Sequence, residues 1–426
     1  MVDGTLPRPK RIEQVLMRCT QTPTGGAYYV LHNPATGVYV ALDAANYFLW
    51  ELMDGEHTVA DLALAYFGRF GAFPFERLDQ LLAQLAAVQL LVDTAPPAPS
   101  PPGGGLADRL HRLAATAFQR EFVFAQADQF FDRLYRRGGW VCFTRPALLL
   151  AAVVTVVGLA CFLTLEPMAE YQLLSANGSH GIGLAALWLA VLAVIFCHEC
   201  GHGLTCKANG RTVRKAGFMF YLGMPTFFVD ASDMWLAGRR ARIAVSAAGP
   251  IVNCVLGGGL AIVVLLLPVS LPAQVLHQVA WVAFLGALLN LNPLLELDGY
   301  YVLMDWLDMP QLRQRSFAFV RRDLLTKLRT RASFTREEII YSWYGVLAGV
   351  CTGAMVLLAL YIWENELELL VNEMRSGQDW LAVGLLSALT LVAGASLALG
   401  LVARAVLLAN AAWGKWRARK KQAAPY

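Results

Sequence analysis

The sequence predicts a mainly α, polytopic membrane protein of about six transmembrane helices, preceded by a small N-terminal α+β domain of winged-helix type. Three observations carry this. The 426 residues are 57% hydrophobic and only 15% charged, with a mean hydropathy of +0.48, which is too apolar for a soluble globule. Beyond residue 146, six stretches reach the roughly twenty apolar residues that a bilayer-crossing helix needs. The first ninety or so residues instead alternate short β-type runs, turn signals and capped helical segments. The net charge of +4 says little about partners, because in such a protein the placement of Lys and Arg carries the information.

In chain order, Met1 to Arg11 lacks the apolar core of a secretory signal, so the N-terminus is expected in the cytosol. Ile12 to Cys19, Ala27 to His32 and Gly37 to Leu42 read as strands, the last two joined by the turn formers Asn33 to Gly37. Three helices follow. Asp43 opens the first and Asp54-Gly55 closes it, Thr58 with Asp61 in capping-box spacing opens the second, and Pro74 opens the third, Phe75 to Leu90. Such a winged helix commonly binds DNA, yet the third helix offers one Arg and two acids where phosphate contacts need several cations, so no nucleic-acid partner is expected.

The segment from Val30 to Leu62 (V-L-H-N-P-A-T-G-V-Y-V-A-L-D-A-A-N-Y-F-L-W-E-L-M-D-G-E-H-T-V-A-D-L) resembles the PqqD-like domains, the recognition elements of ribosomally made, modified peptides. The resemblance implies that residues 1–93 bind a precursor or leader peptide as an added strand. It places the pairing edge at Val38, Tyr39, Val40 and Ala41 and a groove wall at Leu78, Leu81, Leu82 and Leu85. Residues 94–105, T-A-P-P-A-P-S-P-P-G-G-G, form a linker, extended by its prolines and released by its glycines. Residues 106–146 return apolar side chains every three or four positions and read as amphipathic helices, lying on the membrane surface or covering the next domain.

Residues 147–426 hold the six expected spans: Ala147 to Leu165, Ile182 to Cys206, Ile243 to Leu267, Gln274 to Leu297, Ile339 to Ile362 and Leu381 to Asn410. Arg136, Arg137 and Arg145, the Lys and Arg residues from Lys207 to Arg242, those from Arg313 to Arg336, and Lys415 to Lys421 fall on one side if the helices alternate. By the positive-inside rule that side is the cytosol, with both termini there and the protein in the inner membrane.

The second span ends in F-C-H-E-C-G-H-G. His198 and His202 stand one helical turn apart and so share a face, as zinc ligands require, while Glu199 is placed to take a proton from the water such a metal activates. Ionisable groups inside an apolar span are expensive, which marks them as functional. The cysteines Cys161, Cys197, Cys254 and Cys351 in apolar runs read as small hydrophobes, and the Cys197/Cys200 pair has no assigned role. A third ligand is supplied by the fourth span, whose Asp298 arrives at the same depth as the histidines.

Together, H-E-x-x-H at His198, Glu199 and His202, G-P-x-x-N at Gly249, Pro250 and Asn253, and N-x-x-P-x-x-x-L-D-G from Asn290 to Gly299 resemble the site-2 protease family of intramembrane zinc metalloproteases. The resemblance implies Zn2+ on His198, His202 and Asp298, catalysis by Glu199, and substrate or oxyanion contacts from Asn253 and Asn290, for which interhelical hydrogen bonding is the rival. The chain departs from the family in reading L-D-G-Y-Y, in lacking a PDZ insertion, and in carrying Glu296 near the site without a role. Between the second and third spans, the Gly- and Pro-punctuated stretch Ala216 to Asp230 reads as a hairpin or re-entrant loop beside the site, with a surface loop as rival. The expected function is a membrane zinc endopeptidase acting on a peptide or membrane-protein substrate. Alternatives are regulated cleavage of a membrane-anchored regulator and a non-enzymatic peptide export or immunity protein.

Overall fold

In the computed structural model, residues 8–21, 27–71, 75–92, 121–221, 224–376 and a few positions between 379 and 387 are described. The expected linker 94–105, the start of the amphipathic segment and almost all of the sixth expected span lie outside them. The chain divides into two compact units, residues 1–108 with 235–238, and residues 109–234 with 239–426.

The first unit contains β1 (Lys10–Arg11), β2 (Leu16–Gln21), β3 (Ala27–His32), β4 (Tyr39–Asp43), α1 (Ala44–Glu51), α2 (Val59–Phe70), α3 (Phe75–Ala87) and β5 (Leu91–Val92). Strands β2, β3 and β4 form an antiparallel meander, and β1 pairs with β5. The alternation that predicted β3 and β4 is visible as alternate burial, with Val30, Val40 and Leu42 turned inward. The Asp43 carboxylate accepts from Asn46 N–H at 2.8 Å to start α1, and Thr58 and Asp61 form the full capping box of α2. Gly71 ends α2 in the left-handed conformation, φ 72°. The β1–β5 pair is absent from the sequence reading, since two-residue strands carry no periodicity.

Among its described residues, the second unit contains β6 (Glu121–Val123), α4 (Ala127–Arg136), α5 (Arg145–Leu165), α6 (His180–Ala208), β7 (Lys215–Tyr221), β8 (Met224–Asp230), α7 (Arg239–Leu266), α8 (Leu271–Leu291), α9 (Asp298–Leu307), α10 (Leu312–Phe319), α11 (Leu325–Thr330) and α12 (Arg336–Ser376). Among the described residues, five helices are long and apolar enough to cross a membrane: α5, α6, α7, α8 and the Arg336–Ile362 part of α12. The protein is thus a membrane protein with a small α+β region at its N-terminus.

Three details depart from expectation. The described part of the stretch read as amphipathic helices includes a strand, β6, which pairs antiparallel to β7 and completes a three-stranded sheet ordered β6-β7-β8. The fourth span stops at Leu291, because Pro293 holds Asn292 in extended backbone, ψ 112°, so Asp298 opens a separate helix. Finally, α12 runs 41 residues, about 60 Å at helical rise, so most of the expected loop Glu364 to Asp379 is helical.

Candidate metal centre

Two close helix approaches build the site. Gly201 of α6 faces α7 so tightly that a Cβ there would lie 2.8 Å from a Val252 methyl and 3.1 Å from the Ala248 carbonyl. On α7, a Cβ on Gly249 would lie 2.4 Å from His198 Nε2 and 2.5 Å from His202 Nε2. Only a residue without a side chain leaves the space that the two imidazoles face.

His198 and His202, each about nine-tenths buried, bring their Nε2 atoms to 3.1 Å of one another. Asp298, the first residue of α9, places Oδ2 3.0 Å from His198 Nε2 and Oδ1 3.5 Å from His202 Nε2. The three donor atoms lie within 4.8 Å of one another. Tetrahedral zinc with bonds near 2.05 Å separates its ligand atoms by about 3.3 Å, and the observed spacings bracket that value. His202 Nδ1 donates to the Val245 carbonyl at 2.7 Å, which leaves Nε2 unprotonated for a metal. Pro250 cannot donate to the carbonyl four residues earlier, so the ladder of α7 is interrupted in the turn beside Val245. Asp298 Oδ2 is buried without a hydrogen-bond donor, a cost that a bound cation on this donor set would offset. The residues therefore fit a metal ion.

Contacts on the far side of Asp298 fix its position. Gly299 lets the start of α9 fold back on the end of α8, where a Cβ would meet the Leu291 carbonyl at 2.4 Å. Asp305 of α9 accepts from Arg242 Nε of α7 at 2.7 Å, both side chains being buried. Burial pushes the Asp305 carboxyl above its ordinary range, and the guanidinium opposes that shift. Arg313 donates to the Leu294 carbonyl and to Thr352 Oγ1, and the Tyr344 hydroxyl donates to the Pro293 carbonyl, so the 292–297 turn is tied to α10 and α12. Glu296, half exposed, lies 3.8 Å from Arg313 Nε. The sequence reading missed Val245, Arg242 and Arg313. The Gly-Pro break and an Arg at the mouth of an apolar helix were the available signals.

Asn253 is buried on α7 with Nδ2 facing Gly286 of α8, and Asn290 Nδ2 donates to the Gly286 carbonyl within its own helix. Glu199 does not join the three donors. It lines, with Cys200, a cavity of about 450 Å3 between α4, α6 and the β6-β7-β8 sheet. The stretch after Lys215 is a hairpin, as one of its two readings expected. In the first unit, Val38 is exposed, Tyr39 stacks on His32 with ring centroids 4.2 Å apart, Val40 is buried and Ala41 pairs with Val30. Leu78, Leu81 and Leu85 lie in the hydrophobic core, and Leu82 packs against it.

Residues 28–91 match the family described as coenzyme PQQ synthesis protein D (PqqD). Over 149 residues, 35% of this chain and 38% of the relative, the sequence is 31% identical to a Synechocystis protein named "Putative zinc metalloprotease". Over 132 residues it is 29% identical to a Bacillus subtilis protein named "Putative peptide zinc metalloprotease protein", matching 29% of this chain and 50% of that one. The matched regions thus span half or less of these relatives' lengths. No solved structure gives a significant match. The chain carries a PqqD-like N-terminal domain and a region similar to proteins named as zinc metalloproteases.

Proposed function

We propose that this protein is an intramembrane zinc metalloendopeptidase of the site-2 protease type, seated in the cytoplasmic membrane with both termini in the cytosol, whose N-terminal domain recruits its peptide substrate. The observation that carries the reading is the convergence of His198, His202 and Asp298 on one Gly249-lined space, with Glu199 next to His198 on α6 facing a cavity. Zinc held by those three side chains would supply Lewis acidity toward the scissile carbonyl and toward a water. Glu199, one residue beyond His198 and three before His202, is the base that would accept a proton from such a water and the acid that would return it to the leaving amine. Val245 fixes the His202 tautomer, and the Arg242–Asp305 pair holds α9, and with it Asp298, against α7. A pure peptide binder has no use for a carboxylate at Glu199, which favours catalysis over a transport or immunity role.

The test is a Glu199→Gln protein. It should retain zinc by elemental analysis and lose peptide cleavage by about 10²–10⁴-fold, the usual contribution of a general base. Replacement of His198, His202 or Asp298 by Ala should lose the metal as well. Near-normal proteolysis by Glu199→Gln would overturn the mechanism. For recruitment, deletion of residues 1–93 should slow cleavage of the native substrate at limiting concentration and much less at saturation, since a tether acts by raising local concentration. Equal rates at limiting substrate would remove the N-terminal domain from this role.

A further inference from the structure

The cavity that Glu199 faces is built for an apolar guest. Six phenylalanines line it: Phe124 and the α4 residues Phe130 and Phe131, Phe196 of α6, and Phe227 and Phe228 of β8. The walls are held by close packing. A Cβ on Gly203 of α6 would lie 2.3 Å from the Phe131 ring, so α4 is seated directly on α6, and Phe196 meets Phe227 edge-on at 5.2 Å. Apart from Glu199 and Cys200, the polar side chains at the cavity are Arg133 and Gln126, which hydrogen-bond to each other at 3.4 Å. A volume of about 450 Å3 falls within the range of small-ligand pockets, which pair apolar walls with a few orienting polar groups.

A lipid acyl chain would fit the walls but would offer the buried Glu199 carboxylate no hydrogen bond beyond the one it takes from the Val229 backbone N–H. A peptide brings backbone N–H groups and, beside them, the bond that Glu199 serves. We infer that this cavity is the specificity subsite for a large apolar side chain, aromatic or leucine-like, on the substrate residue adjacent to the bond cleaved. The inference rests on the metalloprotease reading and adds a substrate class to it. An apolar pocket discriminates by roughly ten- to two-hundredfold per methylene, so Phe or Leu should exceed Ala at that position by at least about a hundredfold in kcat/KM.

The experiment uses the full-length, zinc-loaded protein in lipid nanodiscs with short fluorogenic peptides varied one position at a time through Ala, Leu and Phe. One position should show the preference, and V229F, which places a ring on the cavity wall, should lower the Phe-to-Ala ratio there by at least roughly tenfold. Zinc-dependent cleavage with no such position, or an equal loss on all peptides in a V229F protein that still holds its zinc, would overturn the subsite and leave the protease reading standing. Should the protein cleave nothing, the protease reading falls, and the cavity is tested separately on Glu199→Gln protein with peptides carrying benzoylphenylalanine. Photoadducts on Phe130, Phe227 or Phe228 that Phe peptides displace and Ala peptides do not would support the subsite. Adducts elsewhere, or displacement by a short-chain phospholipid instead, would overturn it.

Discussion

The two units answer differently to the same kind of reading. In the second, the residues singled out were polar groups in an apolar context, and the structure draws three of them, far apart in sequence, onto one space: His198, His202 and Asp298. In the first, the residues singled out for a binding groove were leucines, and the structure places Leu78, Leu81 and Leu85 in the domain core. The difference is energetic. A buried imidazole or carboxylate costs free energy unless something compensates it, so its presence in a span demands an explanation. A buried leucine stabilises any fold, so the same pattern serves core and binding site alike.

The sharpest test of that comparison is Arg242→Ala. It leaves Asp305 as a buried carboxylate without its guanidinium, and thermal unfolding in detergent should show a loss of about 3–5 kcal/mol. Arg242→Met with Asp305→Leu should recover most of it. Wild-type melting by Arg242→Ala would show that the pair does not hold α9 in place. Next comes Leu81→Ala in the first unit, where a fully buried side chain should cost about 2–5 kcal/mol, read as faster amide exchange across β3, β4 and α3 in the intact protein. Unchanged protection with weakened peptide binding would restore Leu81 to a groove wall and break the contrast. The smallest effect is expected from Gly249→Ala, whose methyl enters the space between the imidazoles. Zinc affinity in a chelator competition should fall by about 10–100-fold, comparable to loss of an orienting partner. Gly259→Ala, on the same helix but with no atom nearer than 3.9 Å, should leave affinity unchanged.

Much of the architecture was legible because local rules dictate it. The Asp43 cap, the Thr58–Asp61 box and the strand from Ala27 to His32 depend on neighbours a few residues away, and the apolar spans depend on length and composition alone. Helix ends near proline were less legible. Asn292-Pro293 cut the fourth span short of Asp298, although an apolar count runs straight through it.

By itself, then, the sequence determined the class of the molecule and the helical spacing of His198 and His202, because each follows from residue type and short-range geometry, and it named Asp298 as third donor through its motif resemblance. Only the tertiary structure decided that Val245 orients His202, that Arg242 and Arg313 anchor the Asp298 turn, and that Glu199 opens onto a phenylalanine-lined cavity. It also decided that Asn253 of α7 faces Gly286 of α8. The physical reason is that each of these facts is a contact between segments tens to about a hundred residues apart. A backbone carbonyl, a close glycine approach or a cavity wall has no signature in residue type until packing brings its two sides together.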